Sequence, residues 1–173
     1  MILTGKEIVS QVETGDITLE PFSVSQVNPN SYNYRLGKCL KVFIGYVGGK
    51  SRFEEISLPE EGYVIEPGRM YLGQTFEKIG SGTYCMSLIG RSSMGRLGLF
   101  VQLSANLGHV TSSHQWTLEI VAAMPFRLYP GMIIGQVSFW QVEGDIAPYL
   151  GLYGKMSMPT ESVLMEKGYD FNR

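Results

Sequence analysis

Two parts of this chain carry residues whose types and spacing could do chemistry. The first is Gly90-Arg91-Ser92-Ser93-Met94-Gly95-Arg96-Leu97-Gly98-Leu99, with two arginines, two hydroxyls and three glycines in ten positions. Glycines let a backbone approach an anion, amides and serine hydroxyls donate hydrogen bonds, and guanidinium forks neutralise charge bidentately. The set therefore suits a phosphate, and it suits equally a polar turn with solvated arginines. The second is Glu119, inside Trp116-Thr117-Leu118-Glu119-Ile120-Val121. If Leu118 and Ile120 face a core, strand alternation turns Glu119 to the opposite face, into solvent or into a cleft. A carboxylate walled into a cleft has its pKa raised by desolvation and can act as a general base near neutral pH.

His109 and His114 are the two histidines of the chain, and with Glu119 they fall into a five-residue rhythm. Neither a His-x-Glu nor a Cys-x-x-Cys pattern accompanies them, so zinc-activated water has no ligand set here and no metal site is expected. Walker and Rossmann glycine patterns are missing too, which sets aside kinase-type readings.

The elements that must position these residues are mostly strands. Thr4, followed by Glu7 and then by Ile8, Val9 and Val12, is a capping-box start for one short helix that ends near Gly15. Beyond it, short apolar or alternating runs at 31–36, 40–46, 63–65, 69–77, 83–89, 99–103, 116–122 and 132–141 are broken by Gly, Pro and Asn. Pro67-Gly68 and Pro130-Gly131 read as turns that feed strands. An all-β sandwich, jelly roll or distorted barrel follows, with a short N-terminal helix. Residues 1–173 read as one domain, of which about 148–173 form a tail that packs on something else or closes as a lid.

Composition excludes several function classes. No stretch approaches the ~20 apolar residues of a membrane helix, and a net charge of −2 gives no basic field for a polymeric nucleic acid. Cys39 and Cys85 are too few for a disulfide framework and read as buried small hydrophobes. The first residues lack a secretory pattern, so a cytoplasmic protein is expected.

The Gly90 to Leu99 cluster closely resembles the signature of the deoxycytidine triphosphate deaminases. Asn28-Pro29-Asn30-Ser31-Tyr32-Asn33-Tyr34-Arg35-Leu36-Gly37, Glu66-Pro67-Gly68, Thr75-Phe76-Glu77, Thr117-Leu118-Glu119 and Pro130-Gly131-Met132-Ile133-Ile134-Gly135-Gln136-Val137-Ser138-Phe139 resemble further blocks of that family, in its order. The resemblance runs to about Lys155. It implies a dUTPase-like subunit in a homotrimer with active sites between subunits, hydrolysing dCTP to dUTP and ammonia. It implies further that no cofactor is bound to the protein and that Mg2+ accompanies the triphosphate. Glu119, Ser92 and Arg96 are the implied catalytic residues. Arg91 and Ser93 would engage phosphates, the backbone near Ala105 would help hold the water and base, and Tyr149 and Lys155 belong to a closing segment.

The pattern breaks between Ala105 and Glu119. The family usually has Ile-Asp followed by Pro-Gly-aromatic-x-Gly there, with the aspartate near the sugar 3′-hydroxyl. Here Gly108-His109-Val110-Thr111-Ser112-Ser113-His114 holds that register, placing His109 where the aspartate belongs. A usual asparagine after the glutamate is Ala122, and the glutamine expected after the tail lysine is absent. These changes leave the base and the phosphate motif in place. They keep open another deoxynucleotide preference, a triphosphate-cleaving (dUMP-forming) activity, or a nucleotide-binding homologue without turnover.

Overall fold

Thr4 caps helix α1 (Gly5–Thr14) through its hydroxyl, which accepts the Glu7 N–H at 3.3 Å, and Gly15 closes the helix. The structure, a computed structural model, describes residues 1–47, 50–102 and 104–162, and of Lys50 and Lys155 the backbone alone. Helix α1 buries Ile8 against the strands that follow.

Two five-stranded antiparallel sheets carry most of the described strand residues. One runs β10 (Leu99–Val101), β13 (Thr117–Ala122), β7 (Tyr71–Gln74), β4 (Cys39–Val47), β5 (Lys50–Ser57). The other runs β11 (Leu107–Gly108), β9 (Tyr84–Gly90), β15 (Ile133–Gln141), β3 (Ser31–Arg35), β2 (Val27–Asn28). A three-stranded sheet of β1 (Ile17–Glu20), β8 (Lys78–Ser81) and β12 (Ser113–His114), and the pair β6 (Tyr63–Ile65) with β14 (Phe126–Leu128), complete the framework. The expected β-dominated class with a short leading helix is what forms. Gly68 and Gly131 each take φ +74°, the left-handed conformation that the two Pro-Gly turns require.

Tyr32, Tyr34, Tyr71 and Phe139 are the largest fully buried side chains, packed with Leu118 and Ile120 from β13. Burial raises the pKa of the Tyr34 phenol, which stays protonated and donates to the Ile89 carbonyl at 3.0 Å. Strand β13 alternates half-buried and buried along its length, so Leu118, Ile120 and Ala122 point into the core and Glu119 points away.

Where the first sheet hands over to the others, a fully buried carboxylate ties the crossing. Glu77 Oε1 accepts Arg35 Nε at 2.6 Å and Gln26 Nε2 at 3.2 Å, and Oε2 accepts the Arg35 backbone N–H at 2.8 Å. The Arg35 guanidinium also lies 4.4 Å from the Phe76 ring centre. Thr75 Oγ1 donates to the Glu77 carbonyl at 2.7 Å and accepts the Trp116 N–H at 2.9 Å. These bonds explain a difference from the expected run 69–77: β7 stops at Gln74, because Thr75 to Glu77 leave the ladder to make the crossing.

Other differences have simple causes. Strand β5, Lys50-Ser51-Arg52-Phe53-Glu54-Glu55-Ile56-Ser57, is too charged to announce itself, and its pairing with β4 makes it a strand. Strands β1, β8 and β14 are likewise set by distant partners. Cys39 is buried as expected, whereas Cys85 is only half-buried because it sits on a partly open stretch of β9. Residue 103, the end of the run 99–103, lies outside the described residues.

Removing Glu77 leaves the Arg35 amide and guanidinium without their acceptor. Glu77→Ala is expected to lower unfolding stability by about 3 kcal/mol, read as a shift of the denaturant midpoint.

Candidate active site

Strand β13 delivers Glu119 to a cleft of about 820 Å³, of which it is the one carboxylate among the described lining residues. Its backbone is held on both sides: the Glu119 N–H donates to Gln102 Oε1 at 2.9 Å, and the Gln102 N–H donates to the Glu119 carbonyl at 3.0 Å. Gln102 Nε2 reaches on to the Ala105 carbonyl at 3.2 Å, and Ser104 Oγ donates to Glu119 Oε2 at 3.3 Å. Gln102 adopts φ +55°, a conformation that side chains other than Gly, Asn and Asp rarely take. Strain of this kind persists where neighbouring contacts over-determine it, and here it seats one amide between Glu119 and Ala105.

The walls of the cleft come from distant parts of the chain. Phe43 of β4 and Phe53 of β5 are register partners whose rings meet edge to face at 5.7 Å, and Tyr46 adds a second edge contact at 5.0 Å. Trp116 and His114 form the opposite wall, their rings 4.2 Å apart. His114 is buried and its Nδ1 lies 2.9 Å from the Gln115 carbonyl. Arg69 stands among the lining residues, the one described guanidinium there.

His109 also lines the cleft, stacked on Tyr149 with ring centres 4.8 Å apart and planes at 18°. From Tyr149 the tail continues along the same cleft through Tyr153, Met156, Thr160 and Ser162. It is fastened by the Thr160 N–H to Thr117 Oγ1, at 3.2 Å, and by an ion pair of Lys41 Nζ with Glu161 at 2.9 Å. Partial burial is the largest single influence and acts to raise the Glu161 pKa, but the Lys41 hydrogen bond, a backbone hydrogen bond and the Lys41 charge together outweigh it and the net shift is downward.

The expected site residues therefore separate into two places. Glu119, Ala105, His109 and Tyr149 meet in the cleft. Arg91, Ser92, Ser93 and Arg96 do not line it: they surround the short helix α2 (Ser92–Gly95), with Ser92, Ser93 and Arg96 exposed and neither arginine in an ion pair among the described residues. Leu99, which leads away from α2, pairs with Ala122, three residues or about 10 Å along β13 from Glu119. Phe100, Leu97, Ile89 and Met124 are exposed, as is Leu107, which lines the cleft. The Lys155 side chain, and residues 163–173 of the expected tail, lie outside the described residues.

Gln102, Ser104 and the aromatic wall were not singled out from the sequence. Phe53 sits two residues from Ser51, and both line the cleft. That period-2 signal was present but masked by the charges around it. Gln102 carried no signal, since its role depends on a backbone conformation.

Comparison with known proteins comes to the same region of chemistry. A family model described as dCTP deaminase-like matches residues 2–142. A protein named dCTP deaminase, dUMP-forming, from Hathewaya histolytica is 43% identical over 152 residues, covering 86% of this chain and 88% of its own. A protein of the same name from Leptospira biflexa is 42% identical over 152 residues, covering 86% and 87%. A protein named dCTP deaminase from Rhodopirellula baltica is 38% identical over 175 residues, covering 98% and 88%. The crystal structure of 2'-deoxycytidine 5'-triphosphate deaminase from Agrobacterium tumefaciens shares the fold, with a TM-score of 0.66 at 23% identity. The likeness covers 80% of this chain and 47% of that one, so the chain spans about half its length.

Gln102→Ala removes the acceptor of a strand amide while keeping the strained backbone. It is expected to cost about 1–3 kcal/mol of unfolding stability. Glu119→Gln, which keeps the shape and the backbone bonds, should stay within about 0.5 kcal/mol of the parent in the same denaturation assay.

Proposed function

The chain belongs to the dCTP deaminase-like family, and on that premise we propose that it hydrolyses dCTP, taken as its magnesium complex, to dUTP and ammonia. The observation that carries the reading is Glu119, the one carboxylate among the described lining residues of the cleft, set on a strand beside Ser104, Gln102 and Ala105. Deamination needs one group that can both take and give a proton. Glu119 accepts a proton from water as the water oxygen bonds to C4 of cytosine, and passes it to N3. It then moves the hydroxyl proton to the amine as the C4–N bond breaks, so that one water is consumed and ammonia leaves. A positioned acid and base of this kind contributes typically 10²–10⁴-fold.

The phosphates need cations, and the cleft offers Arg69 alone among the described guanidinium groups. We assign that task to Arg91 and Ser93, with Ser92 and Arg96 reaching the base and water, all from a neighbouring copy in a homotrimer. The separation of these residues from Glu119 on one chain supports this arrangement, as do the exposed apolar side chains Leu97 and Phe100, next in sequence to the cluster, which a second copy would cover. Tyr149 and Lys155 belong to the tail that closes over the nucleotide. A cytoplasmic setting, where dCTP is made and used, fits this role.

A second reading is cleavage onward to dUMP, favoured by the names of the Hathewaya and Leptospira relatives. Attack of water on phosphorus calls for a second general base. His109, on the tail side of the cleft where the family pattern has aspartate, has an imidazole that could serve as that base.

Incubation with dCTP and Mg2+ should release ammonia and dUTP in equal amounts, with loss of the cytosine absorbance. Glu119→Gln should lower kcat by about 10²-fold or more with little change in KM. Formation of dUMP and pyrophosphate would establish the second reading, and nucleotide binding without turnover would overturn both.

A further inference from the structure

The tip of the loop between β11 and β12 holds a conformation that its sequence disfavours. Thr111 adopts φ +71°, and a β-branched residue is the poorest choice there among ordinary side chains. The loop cannot relax, because the Thr111 N–H donates to the Ser81 carbonyl at 2.8 Å and the Ser112 N–H to the His109 carbonyl at 3.3 Å. A glycine would suit the backbone better, so something must be gained from the side chain. That gain is visible: Thr111 Oγ1 accepts the Tyr149 N–H at 2.7 Å, where the tail first meets the cleft.

Tyr149 is also the post around which the tail turns. A Cβ at Gly151 would overlap the tip of its ring, and one at Gly154 would come within 2.8 Å of it. The chain thus wraps closely over one side of the phenol ring while His109 stacks against it at 4.8 Å. A backbone bond to Thr111 and a stack on His109 are made two residues apart on one strained loop.

We infer that Thr111 is a positioning residue, a hydroxyl latch held in a strained conformation so that it fixes Tyr149 against His109 and lays the tail along the Glu119 cleft. It touches no reacting atom. It sets where the tail begins and holds the Tyr149–His109 pair as one wall of the nucleotide site. Its effect on turnover rests on the nucleotide reading above, whereas its effect on tail docking does not.

The test compares Thr111→Gly with Thr111→Ser. The glycine relieves the backbone strain and removes the hydroxyl, and the serine keeps the hydroxyl. In Thr111→Gly, amide hydrogen exchange across 149–154 should speed up about fivefold to tenfold, as expected for loss of one hydrogen bond, while Tm is unchanged or rises. KM for dCTP should rise by a similar factor with kcat within twofold. Thr111→Ser should restore both exchange protection and KM. Unchanged exchange in Thr111→Gly, equal acceleration in Thr111→Ser, or a fall in Tm for Thr111→Gly would overturn the latch. Because exchange is read on the free protein, a parent that does not turn over dCTP would count against the deaminase reading and leave the latch decided by the exchange result.

Discussion

The buried Glu77 carboxylate is the interaction on which the site most depends. A charge with no exposed surface is tolerable only when paired and fully hydrogen-bonded, and Glu77 meets that demand with Arg35 and Gln26. In meeting it, the carboxylate fixes the Thr75 to Glu77 crossing against β3. The Thr75 N–H donates to the Trp116 carbonyl at 2.9 Å, and the Thr75 hydroxyl takes the Trp116 N–H in return. Trp116 immediately precedes β13, so the clasp sets the residue at which that strand begins to alternate. A slip of one residue would turn Glu119 into the core and Leu118 into the cleft. Which side chain β13 turns into the cleft is therefore decided at a buried ion pair elsewhere in the fold.

The same framework divides the chemistry. Strand β13 brings a carboxylate and a hydroxyl into a cleft whose aromatic walls come from other segments, while the helix α2 cluster that suits an anion does not line it. The cleft of a single copy thus presents one carboxylate and one guanidinium, Arg69, among its described lining residues. Exposed Leu97 and Phe100, next in sequence to the cluster, would be a liability for a free subunit and an asset for an assembled one. The strained residues, Gln102 and Thr111, both lie on the loops beside Glu119 and His109, which is where a binding site tends to store strain.

Local features of the fold were legible in the sequence because their causes are local. The Thr4 cap, the two Pro-Gly turns and the alternation that turns Glu119 from the core all follow from short-range rules. The cleft was not legible in the same way. Its walls join Phe43 to Phe53 through a β4–β5 pairing whose second strand carries four charges in eight residues, and they join His109 to Tyr149 across forty positions. Glu119 and the Gly90 to Leu99 cluster stood out by residue type, yet nothing in their spacing indicated that one chain would hold them apart. That is a property of sheet order, set by long-range pairing.

Subunit mixing tests the central claim, a site shared between copies, most directly. Glu119→Gln and Arg96→Ala are each expected to abolish turnover of dCTP alone. If the two purified variants are mixed in equal amounts and allowed to exchange subunits, about a quarter of the sites in randomly assembled trimers join an intact Glu119 to an intact neighbouring Arg96. The account predicts recovery to roughly that fraction of the parent activity. No recovery, with exchange verified by mass-tagged subunits, would contradict it.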